Sequence, residues 1–216
     1  MRRPPLSLLA CCWLLLAAAC ATGPQPVHLT HYLLAEPHSR FDESIALLRT
    51  ADDLREDSSG IGHTTGTLFS IPLETVVTDS PLREEIGRQV SEALGTLGYN
   101  VIQVDTLGDL EAPLASLALS IQEFRFNNFT WAAPIIHTSG KIVLGVVVRD
   151  PGGRVRYEQS FSGGGSSVCS DIDCGFAEAT TRAMTEVLDG IVTAGATESF
   201  RSAFVAQPDA RPPLAP

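Results

Sequence analysis

The sequence has little of what usually announces a chemistry. It contains no G-x-S-x-G, no H-E-x-x-H and no glycine loop placed ahead of a helix to cradle a phosphate, which removes the serine hydrolases, zinc proteases and nucleotide enzymes those patterns mark. Basic residues are few, 15 Lys and Arg against 25 Asp and Glu, for a formal charge of -10. That balance excludes nucleic acid as a partner and excludes docking on anionic lipid by net charge. A membrane span is also missing from the start of the chain. The first apolar run, Leu6 to Ala19, is 14 residues, and a helix needs roughly 18 to 20 to cross the hydrocarbon core. Aromatic residues make up 6%, and no internal repeat is present. The expectation is a protein with no catalytic residues, no metal ligands and no cofactor, and so not an enzyme.

What is present begins with an address. Arg2 and Arg3 precede the apolar run, and the proline-broken "ATGPQPVHLTH" follows it, which is the layout of a secretory signal peptide over residues 1–19. The run closes on "LLLAAAC", and the stretch resembles the bacterial lipobox: small residues at Ala17 and Ala19, then Cys20, whose thiol would accept a diacylglyceryl group and become the acylated N-terminus. The position three before the cysteine is Ala17, where leucine is commoner. Cys11 fits the same pattern, but a cut there leaves too short an apolar run. Removing residues 1–19 takes away two arginines and no acid, so -10 becomes -12. Attachment would then rest on acyl chains, each buried methylene contributing about 0.8 kcal/mol.

Cysteine use agrees. Cys11 and Cys12 lie in the leader, Cys20 carries lipid, and Cys169 and Cys174 sit together in "CSDIDC". In an oxidising envelope compartment such a pair reads as a disulfide pinning a loop. A metal site would want two further ligands nearby, and neither His63 nor His137 is close in sequence. His28, His31 and His38 read as solvated linker residues, and Asp173 as a helix N-cap rather than a calcium ligand.

The breakers divide the rest. Residues 20–40 are a lipidated N-terminus and flexible tether. Residues 41–63 are a helical extension, from "FDESIALLRTADDLRED". Residues 64–206 are the folded domain and 207–216 a disordered tail. Within the domain the pattern predicts a strand at 67–73, then a helix with Ser80 as N-cap, Pro81 at its first position and Gly98 as stop. A strand follows at 99–105, making a right-handed parallel crossover with the first. In "LASLALSIQEF" the residues Leu117, Leu119 and Ile121 share a face, and the switch to Phe124 and Phe126 marks a bulge or an edge. "KIVLGVVVRD" reads as a central strand, "DPGG" as a hairpin turn, and Val155, Tyr157 and Phe161 as alternating on the return. "SGGGSS" reads as a flexible connector ending the sheet. A helix over 176–192 and a short helical piece near 198–206 complete an α+β two-layer sandwich, with a mixed sheet of four to five strands, a β-α-β crossover, a β-meander and a C-terminal helix packed on one face.

The lipobox, the helix ending in "LGTLGYNVIQVD", the meander of "LALSIQEF" and "GKIVLGVVVRDPGGRVRYEQSFSG", and the amphipathic helix before "ESFRSAFVA" resemble the YajG-like envelope lipoproteins. With "HYLLAEP" in the tether, they are similar also to the auxiliary lipoproteins of ABC-type and Mce-type lipid transport systems. The resemblance implies a two-layer α+β domain without catalysis, held by its lipid on the periplasmic side of the outer membrane as an accessory or adaptor in an envelope complex. Ala21, after the anchoring cysteine, is compatible with outer-membrane sorting.

One cluster stands out in a chain sparing with aromatics. "FRFNNFTW" gathers Phe124, Phe126, Phe129 and Trp131 within eight residues. They read either as core packing or as an exposed patch for a partner or ligand, and solvent exposure separates the two. The alternative function is a periplasmic carrier holding a lipid or cell-wall fragment in a cleft between helices and sheet.

Overall fold

The computed structural model describes residues 25–31, 41, 43–65, 72–109, 114–132 and 135–204. The leader, Cys20 and the C-terminal tail lie outside the described residues, as do 21–24 and 32–40 of the tether. Among the described residues the backbone is mixed α+β: nine strands in one curled sheet, with three helices. In chain order these are β1 (Gln25–Val27), β2 (Ser44–Leu48), β3 (Asp52–Asp53), β4 (Gly62–Thr65), β5 (Pro72–Thr78), α1 (Leu82–Thr96), β6 (Asn100–Val104), β7 (Ser116–Ala132), β8 (Ile135–Arg149), β9 (Val155–Cys169), α2 (Ile172–Gly195) and α3 (Glu198–Ser202).

The sheet is therefore larger than the four to five strands expected, and the additions come from segments read otherwise. "SIALL", expected as helix, is β2. Ile45, Ala46 and Leu47 are all fully buried, and a short apolar run buried on both faces carries no period to distinguish strand from helix. The expected helical extension thus supplies β2, β3 and β4 to the sheet. Part of the tether joins it as well, because β1 pairs in parallel with β5. The expected parallel crossover from the strand before α1 is not formed: β5 is antiparallel to β4 and so runs opposite to β6, while β6 lies parallel to β2, from Ser44↔Asn100 to Leu48↔Val104.

β7 is the spine. Along one edge it pairs in parallel with β2, β3 and β4 in turn, and along the other it forms a long antiparallel ladder with β8. Ile121 faces Leu144 and Glu123 faces Val143, so Gln122 is the extra residue of a β-bulge. The bulge moves the inward parity from Leu117, Leu119 and Ile121 to Phe124 and Phe126, as the alternation predicts.

α2 lies on the inward face over β9 and β8, and the glycine stretch is what lets it. A Cβ on Gly163 would stand 2.1 Å from the Ala183 carbonyl oxygen, and one on Gly165 1.8 Å from that of Ala179. "SGGGSS" is thus not a flexible connector. It is mid-strand, stripped of side chains where a helix backbone rests on it. Two helix starts differ by a residue or two from expectation. Pro81, not Ser80, holds the cap position of α1, its carbonyl accepting from the amides of Glu84 and Glu85. Asp171, not Asp173, caps α2 by accepting from the Cys174 amide at 2.7 Å. Gly98, at φ 90°, ends α1 as expected, since only glycine takes that conformation without steric cost.

Candidate functional site

The long hairpin of β7 and β8, with β9 beside it, carries one end of the sheet. Its outward face is built in cross-strand rows. Phe129 pairs with His137, and His137 with Val168. One step towards the body come Asn127, Ser139 and Ser166, and one step further Arg125, Lys141 and Gly164. Beyond the first row, Ile135 opens β8. Phe129, Ile135 and Val168 are 45%, 56% and 64% exposed, while inward neighbours such as Phe126, Asn128 and Thr138 are buried.

The four aromatic residues singled out in sequence are thereby divided. Phe124 and Phe126 are core, their ring centroids 5.8 Å apart under the helices, so they do not belong to a surface patch. The bulge at Gln122 turned them inward, and the same parity turns Phe129 outward. The Trp131 side chain lies outside the described residues. Sequence reasoning missed Ile135 and Val168, which stand on neighbouring strands. The signal that could have found them is the charge map: between Arg125 and Lys141 the chain has no Asp, Glu, Lys or Arg.

At the same end Cys169 and Cys174 form a disulfide, with Cα atoms 6.0 Å apart. It ties the last residue of β9 to the first turn of α2. Glu178 stands one turn on, its carboxylate 3.7 Å from the Cys169 sulfur. Among the described residues these three are the gathering of potential metal ligands, and two of them are spent on each other.

A second surface feature is a polar cleft of about 510 Å³ between the 54–63 loop and the bulge of β7. Arg55 forms its wall. The guanidinium donates to both carboxylate oxygens of Asp53, at 2.8 and 2.7 Å, and to the Gly60 carbonyl at 2.6 Å. That hydrogen bonding holds the Asp53 carboxyl below the usual carboxylate range against the opposing effect of burial. Asp57 is held low by the Ser59 hydroxyl and amide, and His63 stands 3.8 Å from it, beyond hydrogen-bond reach. Among the described residues no serine, threonine or cysteine lines the cleft. Arg55 is thus already engaged by the fold.

The layer between α2 and the sheet is closed. Phe126, Ile142, Leu144, Phe176, Met184 and Val187 are fully buried there, and the helix backbone touches β9 at Gly163 and Gly165. No room for an acyl chain is left between α2 and β9 at those residues. The opposite end of α2 is closed too. α3 folds back so that Phe200 meets Tyr157 and Phe204 with centroids 5.0 and 5.1 Å away, and Tyr99 meets Phe41 at 5.2 Å. Arg201 lies 4.4 Å over the Phe41 ring and bonds Glu43 at 3.0 Å. Among the described residues no helix is long and apolar enough to cross a membrane.

No family model matches the chain, and no curated protein matches its sequence. Solved structures do resemble it. A Xanthomonas campestris protein of the family DUF330 superposes with a TM-score of 0.57 at 15% identity, covering 78% of this chain and 92% of its own. A neuraminyllactose-binding hemagglutinin homolog of Helicobacter pylori gives 0.49 at 11% identity, over 82% and 97% of the two chains. The PelC dodecamer of Paraburkholderia phytofirmans gives 0.37 at 12%, over 74% and 92%. The Xanthomonas likeness is one of fold.

Proposed function

We propose that the protein is a non-catalytic envelope lipoprotein, held by acylated Cys20 on the periplasmic face of the outer membrane. There it acts as an accessory or adaptor component of an assembly or lipid transport system. The observation that carries a docking role is the end of the sheet where Phe129, Ile135 and Val168 stand exposed together, while the core beneath them is packed shut. An apolar cluster of that kind on an otherwise acidic body is a surface to be covered rather than a pocket to be filled. The lipobox-like "LLLAAAC" supports the anchor.

Two measurements test the reading. Mass spectrometry of the N-terminal peptide should find diacylglyceryl on Cys20, and an unmodified terminus sinks the anchor. For docking, Phe129→Cys should be protected from a membrane-impermeant maleimide in intact envelopes and labelled at least several-fold faster in the purified protein. Glu92→Cys on α1 should react alike in both. Equal labelling at residue 129 in the two states refutes a covered end.

A further inference from the structure

We propose that the β7–β8 tip docks into the interface of a lipid bilayer, giving the body a second attachment that fixes how it stands on the membrane. This rests on the reading of that end as a docking surface and names what covers it. The argument is the layering of the outward face. From Phe126 to Gly140 the 15 residues of tip carry no Asp, Glu, Lys or Arg, and neighbouring β9 carries none from Gln159 to Cys169. The outermost row is Phe129, His137 and Val168 with Ile135 beyond it, the next is Asn127, Ser139 and Ser166, and the third holds Arg125 opposite Lys141, the sole lysine of the chain. Apolar, then neutral polar, then cationic is the order of a bilayer read outward from its hydrocarbon.

The spacing fits. Four residues of strand separate Phe129 from Arg125, about 13 Å at 3.3 Å per residue. At a tilt of roughly 45° the drop is about 9 Å, enough to cross one headgroup layer of roughly 5 to 8 Å. The cations suit that level by charge. Lys141 shares its charge with Glu123 at 3.3 Å, and Arg125 has no carboxylate partner among the described residues, so it is open to lipid phosphate. Asp171 and Asp173 start α2 on the other, helix-bearing face of the sheet. The outward face can therefore lean on the membrane without burying them. A protein partner is the competing occupant, but it would not require charge to vanish from three adjacent strands and reappear as a cationic pair at one level.

Trp131 sits two residues beyond Phe129 on the same strand, and once residues 1–19 are removed it is the sole tryptophan. The processed protein, purified from envelopes, is reconstituted on vesicles of phosphatidylethanolamine and phosphatidylglycerol containing lipid brominated near the glycerol backbone. Trp131 emission is expected to fall about twofold. It should recover in Phe129→Asp and, independently, in Ile135→Asp, with the protein still floating with the vesicles and its circular dichroism unchanged. Flotation reads the Cys20 anchor and quenching reads the tip, so the two can fail separately. Unquenched Trp131 on floating protein overturns this proposal and hands the docking surface to a protein partner. Quenching that survives both aspartates overturns it as well.

Discussion

The two ends of β9 and α2 are built from the same kinds of side chain and finished in opposite ways. At the end near Tyr157, five aromatic rings from four segments close on one another. Tyr99 donates its hydroxyl to the Gly195 carbonyl at 2.8 Å, and Arg201 clamps α3 to Glu43. At the other end, roughly 36 Å away along eleven residues of strand, Phe129 and Val168 are 45% and 64% exposed. The difference comes from chain order. α3 follows α2 directly and can fold back over the rings, whereas β8 lies antiparallel beside β7 and among the described residues Phe129, Ile135 and Val168 stay exposed on the outward face. Closure at one end is a tertiary act, and openness at the other is the default of a long hairpin.

If that contrast is right, the closed end should be the costly one to disturb. Phe200→Ala removes a fully buried ring from the centre of the cluster and is expected to cost about 4 kcal/mol in urea denaturation. A loss under about 1 kcal/mol would mean the rings are not packed as described. Next comes the covalent tie at the open end. The cysteines are 5 apart in sequence, and closing so short a loop lowers the entropy of the unfolded chain by about 2 kcal/mol. Cys169→Ala with Cys174→Ala should lose that much, with faster amide exchange confined to the first turn of α2. A third disturbance separates the ends by pH. Burial first, and the nearby Glu43 carboxylate second, push the Tyr99 phenol above its ordinary value, and burial does the same to Tyr157. The folded state thus keeps protons that the unfolded chain gives up near pH 10. The stability they contribute is complete below that pH and is lost as the pH rises through the folded values. Tyr99→Phe should cost about 1 kcal/mol at neutral pH, for the lost hydrogen bond, and should flatten the alkaline fall. An unchanged slope above pH 10 would place the phenol in solvent.

The parts of this molecule that could be read from sequence were those with a period. Alternation in "LASLALSIQEF" and "KIVLGVVVRD" gave β7 and β8, and the break in alternation gave the bulge that the register places at Gln122. The helical stripe and Gly98 gave α1. What stayed hidden had no period or depended on a distant element. "IALL" is too short and too uniformly buried to show one. β1, β3 and β4 are strands of two to four residues, held by pairing with β5 and β7 rather than by their own pattern. "SGGGSS" looks like a linker because the reason for its glycines, the backbone of α2, lies elsewhere in the chain. The candidate site shows the same division: Phe129 was visible as a residue, but its exposure followed from the bulge, and its neighbours Ile135 and Val168 came from strand register.

The smallest effect is the most telling. Phe129→Ala removes as large a side chain as Phe200→Ala does, so any difference in cost reports environment rather than chemistry. Phe129 is 45% exposed and faces His137, itself paired with Val168, on the outward face of the sheet. Truncating it forfeits its contact across to His137 and leaves no cavity, since water already reaches the site. The expected cost is about 0.5 kcal/mol, the range of a surface pair on a sheet, with an unchanged slope of unfolding against urea. A measured loss comparable to that of Phe200→Ala would mean that this end is packed as tightly as the other. The apolar row would then be core without a docking surface, and the asymmetry on which both the docking role and the bilayer contact depend would be gone.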